Sequence, residues 1–380
     1  MSSLKKIIFD NYKGKRVYIT GITGFKGSWL ALMLHHLGAE VHGFGLEQED
    51  RDAIFHSASI SSIANVTFGD ITSREDRNDL INSIIQSNPN YIFHMAAQPI
   101  VSEGYKDPYT TFNTNIMGTV IMHEILRGIL SPANKEDLEN GNCFRHIDSD
   151  LSCKKISFIN VTTDKVYKEQ SRALNEEDVM FGFDPYSLSK TCSDMISQSY
   201  RDSMKSDHYI STMRSGNVIG GGDTSKDRII PGIISASLTK EKLNLRSPNS
   251  VRPYQHVFDS LTSYLYIAAL QKQDSNYQGE YNVGPDIEQT MTTEELVKEM
   301  NKHIDFEWGT EGASIGKESH YLMLDNKKIK SVGWVPVYNN NEKVVRSTAN
   351  WYQKQLERED MQRFTLDEIS KAFNELEKAI

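Results

Sequence analysis

Short apolar runs alternate with amphipathic stretches along the first half of the chain. Arg16-Val17-Tyr18-Ile19-Thr20 reads as a buried strand, and Gly21 to Gly27 as a turn. Leu30, Met33, Leu34 and Leu37 then follow i, i+3, i+4, i+7 spacing, an amphipathic helix that Gly38 ends. Glu40-Val41-His42-Gly43-Phe44 is a second strand and completes a βαβ unit. The rhythm continues. Val66-Thr67-Phe68 is a brief strand closing on Asp70, and Tyr91 to Met95 is another. Phe112, Ile116 and Val120 recur every four residues in a long helix. Ile156 to Val161 is a strand, Tyr186 to about Lys205 a helix, and Tyr209 to Arg214 a strand. This order predicts the α/β class, with a mostly parallel, doubly wound sheet.

Two stretches depart from the rhythm. Ser131 to Ser152 is polar and charged and reads as a surface excursion between a helix and the next strand. Thr365 to Ile380 reads as a separate helix, with Thr365 and Glu368 as a capping box and Phe364 and Ile369 as a staple. Ile369, Phe373 and Leu376 would form its apolar face.

Length and composition narrow the class. A chain of 380 residues predicts two domains, or one large and one small. A hydrophobic fraction of 38% and a charged fraction of 24% are ordinary for a soluble globular protein. The net charge of -9 argues against sequence-blind nucleic-acid binding, which needs a basic face. Cys143, Cys153 and Cys192 make an odd count without a C-x-x-C pair, which fits reduced thiols in a cytoplasmic protein and no metal site. Lys5-Lys6-Ile7-Ile8-Phe9 opens like a signal peptide, but Asp10 and Asn11 end the run too soon. No run approaches the ~18 apolar residues a membrane span needs.

Candidate chemistry gathers where strands end. Gly21-Ile22-Thr23-Gly24-Phe25-Lys26-Gly27 lies between a strand and a helix, where glycines let backbone amides approach a pyrophosphate. The plainer reading is a tight turn. Asp70-Ile71 could accept from an adenine amino group or merely cap a helix. Ala96 and Ala97, before Gln98, leave room for a ribose or a nicotinamide, or make a close-packed loop. Thr163-Asp164-Lys165 places adjacent charges just past a buried strand, otherwise a solvated turn. Tyr186 and Lys190 fall one helical turn apart, and a neighbouring cation favours the phenolate. Asp184-Pro185 marks the start of that helix. Arg228, Arg252 and Asn217 could hold a second diphosphate, with Gly220-Gly221-Gly222-Asp223 as a flexible hinge between them. Surface ion pairs are the alternative for each arginine. Tyr254 and His256 either line a base pocket or pack.

Taken together, these stretches resemble the extended short-chain dehydrogenase/reductase family, and most its CDP-glucose 4,6-dehydratase branch. The resemblance runs from about Gly14 to Trp351. It rests on the glycine turn through Ser28-Trp29, Thr163-Asp164-Lys165, Asp184-Pro185-Tyr186-Ser187-Leu188-Ser189-Lys190, Arg214 to Asp223, Arg252-Pro253-Tyr254-Gln255-His256-Val257 and Gly333-Trp334-Val335-Pro336. Three departures stand out. The second strand ends on Phe44-Gly45-Leu46 with Glu47 late, Ile22 stands where this branch often has His, and Tyr254 replaces a usual Trp.

The resemblance implies a Rossmann-type sheet that binds NAD, formed by 1–220 and 256–285. It implies a smaller mixed α/β domain for the nucleotide sugar, formed by 221–255 and 286–360, while the carboxyl-terminal helix, taken as 361–380, lies beyond the resemblance. It implies cofactor contacts from Gly21, Thr23, Gly24, Phe25, Lys26, Gly27, Asp70, Ile71, Ala96, Ala97, Gln98, Asn115, Tyr186 and Lys190. Substrate contacts would come from Asn217, Arg228, Arg252, Tyr254 and His256. Thr163, Asp164, Lys165, Tyr186 and Lys190 would be catalytic.

The implied reaction turns CDP-glucose into CDP-4-keto-6-deoxyglucose by internal hydride transfer, in deoxysugar biosynthesis for a lipopolysaccharide O-antigen. Asp164 acts as an acid in it and Lys165 as a base. The implied enzyme is a cytoplasmic homodimer joined through helices near Pro108–Leu130 and Tyr186–Lys205, without membrane or nucleic-acid partners. A nucleotide-sugar 4-epimerase, a dehydratase for another nucleotide hexose and a non-catalytic NAD-sensing protein are the alternatives.

Overall fold

The computed structural model describes residues 3–130, 154–204, 206–310 and 322–377. The polar excursion at 131–152 lies outside the described residues, as do Cys143 and Cys153.

Seven strands form one parallel sheet: β1 Arg16–Thr20, β2 Glu40–Gly45, β3 Ala64–Phe68, β4 Tyr91–His94, β5 Ser157–Thr163, β6 Tyr209–Ser215 and β7 Gly279–Val283. Their order is β7-β6-β5-β4-β1-β2-β3, with every neighbouring pair parallel. Every residue of β4 and β5 is buried, because helices cover both faces of a parallel sheet. Strand order reverses between β1 and β4, which sets a crevice at their carboxyl ends. The six strands read from the sequence are present. β7 is the one the pattern did not single out.

The helices used below are α1 Leu4–Tyr12, α2 Phe25–His36, α3 Arg77–Ser87, α4 Gly118–Leu130, α5 Pro185–Asp202, α6 Val257–Gln273, α7 Asn341–Leu356 and α8 Met361–Leu376. The basic, apolar stretch near the amino terminus is α1. Its Leu4, Ile8 and Tyr12 are buried, and the Tyr12 hydroxyl donates to the Leu265 carbonyl at 2.8 Å. Facing the carboxyl ends of the strands is a smaller group of elements. It contains helices Ile229–Thr239 and Thr293–Asn301, and the short strand pairs Val251–Arg252 with Met291–Thr292 and Leu243–Asn244 with Trp308–Gly309. Among the described residues no helix is long and apolar enough to cross a membrane.

Three expectations need correction. The long helix through Phe112, Ile116 and Val120 is interrupted: Pro108–Phe112 is helical, Asn113–Met117 is a wider π turn, and α4 follows. That turn carries buried Asn115, whose amide donates to the Gln98 carbonyl at 3.0 Å and to Ser189 Oγ at 2.8 Å. The last helix starts a turn early and is not separate. Asp360 caps it, accepting from the Arg363 amide at 3.1 Å, and Thr365 is buried inside, accepting from Trp351 Nε1 at 2.9 Å. The capping box therefore does not form, although Ile369, Phe373 and Leu376 are buried as expected. The triple glycine is no hinge. A Cβ on Gly221 would meet the Trp351 ring at 2.0 Å, so glycine is needed for close packing.

Candidate active site

The carboxyl ends of β1, β2, β4, β5 and β6 open onto a cleft of about 1470 Å³. Its floor at β1 is the glycine turn. Gly21 has φ +75°, and a Cβ there would stand 2.8 Å from the Ala96 nitrogen. A Cβ on Gly27 would overlap the Gly21 carbonyl oxygen at 2.1 Å. Gly24 caps α2 without a side-chain hydrogen bond, which leaves first-turn amides for an anion. Lys26 lines the cleft beside the turn, and its Nζ lies 3.4 Å from the Tyr264 hydroxyl.

Most sequence-predicted residues meet here. Gly21, Thr23, Gly24, Phe25, Lys26, Gly27, Asp70, Ile71, Ala96, Ala97 and Gln98 line the cleft on one side. Thr163, Asp164, Lys165, Tyr186, Lys190, Asn217, Arg228, Arg252 and Tyr254 line the rest. Asp70 lines the cleft but caps no helix: its Oδ1 accepts from the Thr72 amide at 2.7 Å and the Thr72 hydroxyl at 2.8 Å, while Asp76 precedes α3. Leu46, Glu47 and Gln48 border the end of β2. Two residues stand apart. Asn115 lies behind Gln98 and braces it, its Oδ1 accepting from the Gln98 amide at 2.8 Å. His256 is buried with its ring stacked on Tyr338 at 3.8 Å, and its Nδ1 accepts from the Phe258 amide, so it packs instead of lining a base pocket.

The reactive groups come from two elements. α5 begins at Pro185 because Asp184 caps it, accepting from the Ser187 amide at 3.0 Å. That start sets Tyr186 in the first turn and Lys190 one turn later. Burial pushes the Tyr186 hydroxyl up to about 12, against the pull of the neighbouring Thr163 hydroxyl and the Arg228 guanidinium. Lys190 does not bring the phenol toward neutral pH as the spacing suggested. Its Nζ donates to the Val161 carbonyl at 2.9 Å, and burial followed by the charge of Lys26 lowers its pKa to about 7. Burial and the Lys26 charge both disfavour the ammonium form that would draw the phenol down.

β5 delivers the second set. Thr163 Oγ1 donates to Asp164 Oδ1 at 2.9 Å, and Asp164 Oδ2 is buried without a hydrogen-bond partner. Burial raises the Asp164 pKa, opposed by Lys165, Thr163 and Arg252. A raised pKa is what a carboxyl acting as a proton donor would require. Lys165 is half-buried beside it.

Behind these groups lies a buried ion pair that sequence reading missed. Arg214 on β6 and Asp194 on α5 are 1% and 0% exposed, and meet in a fork of 3.0 and 2.8 Å. The Arg214 side chain is turned into this pair and does not line the cleft. The signal was present: an arginine within an apolar strand requires a carboxylate, and Asp194 stands one helical turn beyond Lys190.

A family model described as GDP-mannose 4,6 dehydratase matches residues 18–356. The chain is 34% identical over 372 residues to CDP-glucose 4,6-dehydratase of Salmonella typhimurium, covering 94% of this chain and 96% of that one. It is 22% identical to dTDP-glucose 4,6-dehydratase of Shigella flexneri, covering 89% and 92%. Among solved structures, UDP-glucose-4-epimerase from Stenotrophomonas maltophila, with bound NAD and formylated UDP-arabinopyranose, superposes with a TM-score of 0.74. That match has 16% identity and covers 91% of this chain and 100% of that one. At such identity it shows the shared fold alone.

Proposed function

Because the chain belongs to the GDP-mannose 4,6 dehydratase family, we propose that it converts CDP-glucose to CDP-4-keto-6-deoxyglucose with NAD held in the cleft. The observation that carries the reading is a buried carboxyl, Asp164, with one unpartnered oxygen in the same cleft as Tyr186. Dehydration needs such an acid, and epimerisation at C4 does not.

The residues present fit a dinucleotide. The glycine turn is shaped so closely that a Cβ at Gly27 would fill it, and the uncapped start of α2 suits a pyrophosphate. Ala96, Ala97 and Gln98 would bound the ribose and nicotinamide, while Asp70 and Ile71 would meet the adenine. When bound, NAD supplies a positively charged ring and a group that accepts a hydride from the sugar and gives it back.

The chain's own groups move the protons. Tyr186 Oη takes the proton of the sugar 4-hydroxyl, and Thr163 Oγ1 hydrogen-bonds the same oxygen. Once C4 is a ketone the C5 proton is acidic, and Lys165 Nζ removes it. Asp164 Oδ2 protonates the departing 6-hydroxyl, which leaves as water. Tyr186 returns its proton as the ring becomes saturated again. Lys190 holds the ribose side of the cleft. Arg228 and Arg252, with Asn217, would hold the substrate diphosphate, and Tyr254 would border the base. With a phenol near pKa 12 in the protein alone, proton removal depends on the positive charge the cofactor brings.

We further infer a homodimer built on α4, α5 and the helix before them. Tyr109, Met117, Leu188 and Met195 are exposed apolar residues on these elements. The activity is tested by incubation with CDP-, dTDP-, GDP- and UDP-hexoses and mass spectrometry. Expected is loss of one water from CDP-glucose in preference to the others. Turnover of another nucleotide hexose alone would overturn the substrate, and unchanged mass throughout would overturn the dehydration.

A further inference from the structure

The Asp164–Lys165 turn is bracketed by two residues that bond to the same buried ion pair. On its amino-terminal side, Thr162 Oγ1 donates to Asp194 Oδ2 at 2.9 Å. On its carboxyl-terminal side, the Tyr167 hydroxyl accepts from Arg214 Nη1 at 2.7 Å and donates to Asn282 Oδ1 at 2.7 Å. Arg214 also lies over the Tyr167 ring, 5.1 Å from its centroid. Asn282 on β7 is itself fixed, its amide donating to the Leu174 carbonyl at 2.8 Å. The pair thus joins β5, β6, β7 and α5 around one short turn. Asp194 Oδ1 accepts additionally from Gln198 Nε2 at 2.8 Å, so both oxygens of the carboxylate are satisfied.

A fold of this kind does not need a fully buried ion pair for stability. Taking two charges out of water consumes most of what their attraction returns, and apolar residues of similar volume often do as well. What a bidentate fork does supply is direction. It fixes the angle between a strand and a helix more tightly than apolar contact does. The groups so aligned are Asp164 and Lys165 from the end of β5, and Tyr186 and Lys190 from α5. None of Arg214, Asp194, Thr162 Oγ1 or the Tyr167 hydroxyl is needed for proton transfer.

We propose that the Arg214–Asp194 pair is a positioning clamp that sets the Asp164–Lys165 turn for water loss, acting through Thr162 and Tyr167. The clamp rests on the reading above, in which Asp164 and Lys165 carry the elimination while Tyr186 carries the oxidation. Two consequences follow from the geometry. Loosening either bracket acts first on the elimination pair, whereas Tyr186 on α5 and the glycine turn after β1 are carried by other elements. Loosening the pair itself disturbs both sides of the turn at once.

Tyr167→Phe and Thr162→Val each delete one bracket with little change of shape. Arg214→Lys keeps the charge but cannot form the fork; since it leaves Asp194 partly unsatisfied and costs stability, the two bracket variants decide the matter. With CDP-glucose and NAD, each bracket variant is expected to slow product formation roughly 10- to 100-fold, the cost of a small misplacement. Bound reduced nicotinamide, followed by its absorbance, should build up, because oxidation at C4 outpaces water loss. In the protein alone, amide hydrogen exchange over 163–166 should quicken while that over 21–27 is unchanged.

Asp164→Asn is measured alongside. If it accumulates reduced nicotinamide and the bracket variants do not, the clamp is wrong and the division of labour stands. If Asp164→Asn accumulates none, the division of labour itself is wrong. Unchanged exchange over 163–166 in both bracket variants would overturn the clamp independently of any turnover.

Discussion

Tyr186 and Asp164 sit in one cleft, and the proposed reaction gives them different work. Burial pushes both pKa values up in the protein alone, the phenol to about 12 and the carboxyl above its usual range. Tyr186→Phe is expected to abolish oxidation, with no reduced nicotinamide formed from CDP-glucose. Asp164→Asn is expected to form it and to slow water loss by ~10²–10⁴-fold, the usual worth of a general acid. Equal loss of both signals in the two variants would contradict the division.

Stability offers a second check at this scale, because Lys190 and Asp164 have opposite signs. Lys190 titrates near 7 when folded but near 10.5 when unfolded, so its burial penalty is complete below about pH 7 and fades as pH rises toward 10.5. Asp164 has a raised folded pKa, so its penalty is absent in acid and appears as pH rises through that value. In cofactor-free protein, the gain in urea midpoint from Lys190→Met should shrink as pH rises. The gain from Asp164→Asn should grow. Parallel profiles would mean that burial is not what shifts these groups.

Strands and helices carry those residues to the cleft through close approaches that only glycine permits. Gly27 lies against the Gly21 carbonyl and Gly221 against the Trp351 ring. Gly27→Ala should weaken NAD binding by about tenfold or more, measured by titration, and should also lower the urea midpoint, because the Gly21–Ile22 backbone must move. Gly221→Ala should cost roughly 1–3 kcal/mol of stability, read from the same midpoint, because a buried ring must shift.

The strands were legible because a parallel sheet buried on both faces leaves continuous apolar runs, as in Tyr91–His94 and Ser157–Thr163. The helix start at Asp184 was legible, and that at Thr365 was misread because Asp360, a turn earlier, caps the helix. Thr365 is occupied by Trp351, a tertiary contact that no local pattern announces. The π turn at Asn113–Met117 and the inward turn of His256 are also tertiary outcomes. The cleft was largely readable because its residues stand at strand ends, whereas the Arg214–Asp194 pair joins residues far apart in sequence.

The molecule as a whole brings the groups proposed for oxidation and for dehydration into one cleft at the carboxyl ends of the strands, and leaves several apolar side chains exposed. Tyr109, Met117, Leu188 and Met195 are among them. A Met117→Lys, Met195→Lys double variant should halve the mass seen by light scattering, while one unchanged in mass would remove these residues from any interface. The central claim is narrower: two electrons leave C4 of the sugar and return at C6 of the same molecule. CDP-glucose carrying deuterium at C4 measures this directly by mass spectrometry and NMR. Expected is a product one water lighter that holds the deuterium at C6. Product of unchanged mass inverted at C4, or a dehydrated product whose deuterium has passed to solvent, would contradict it.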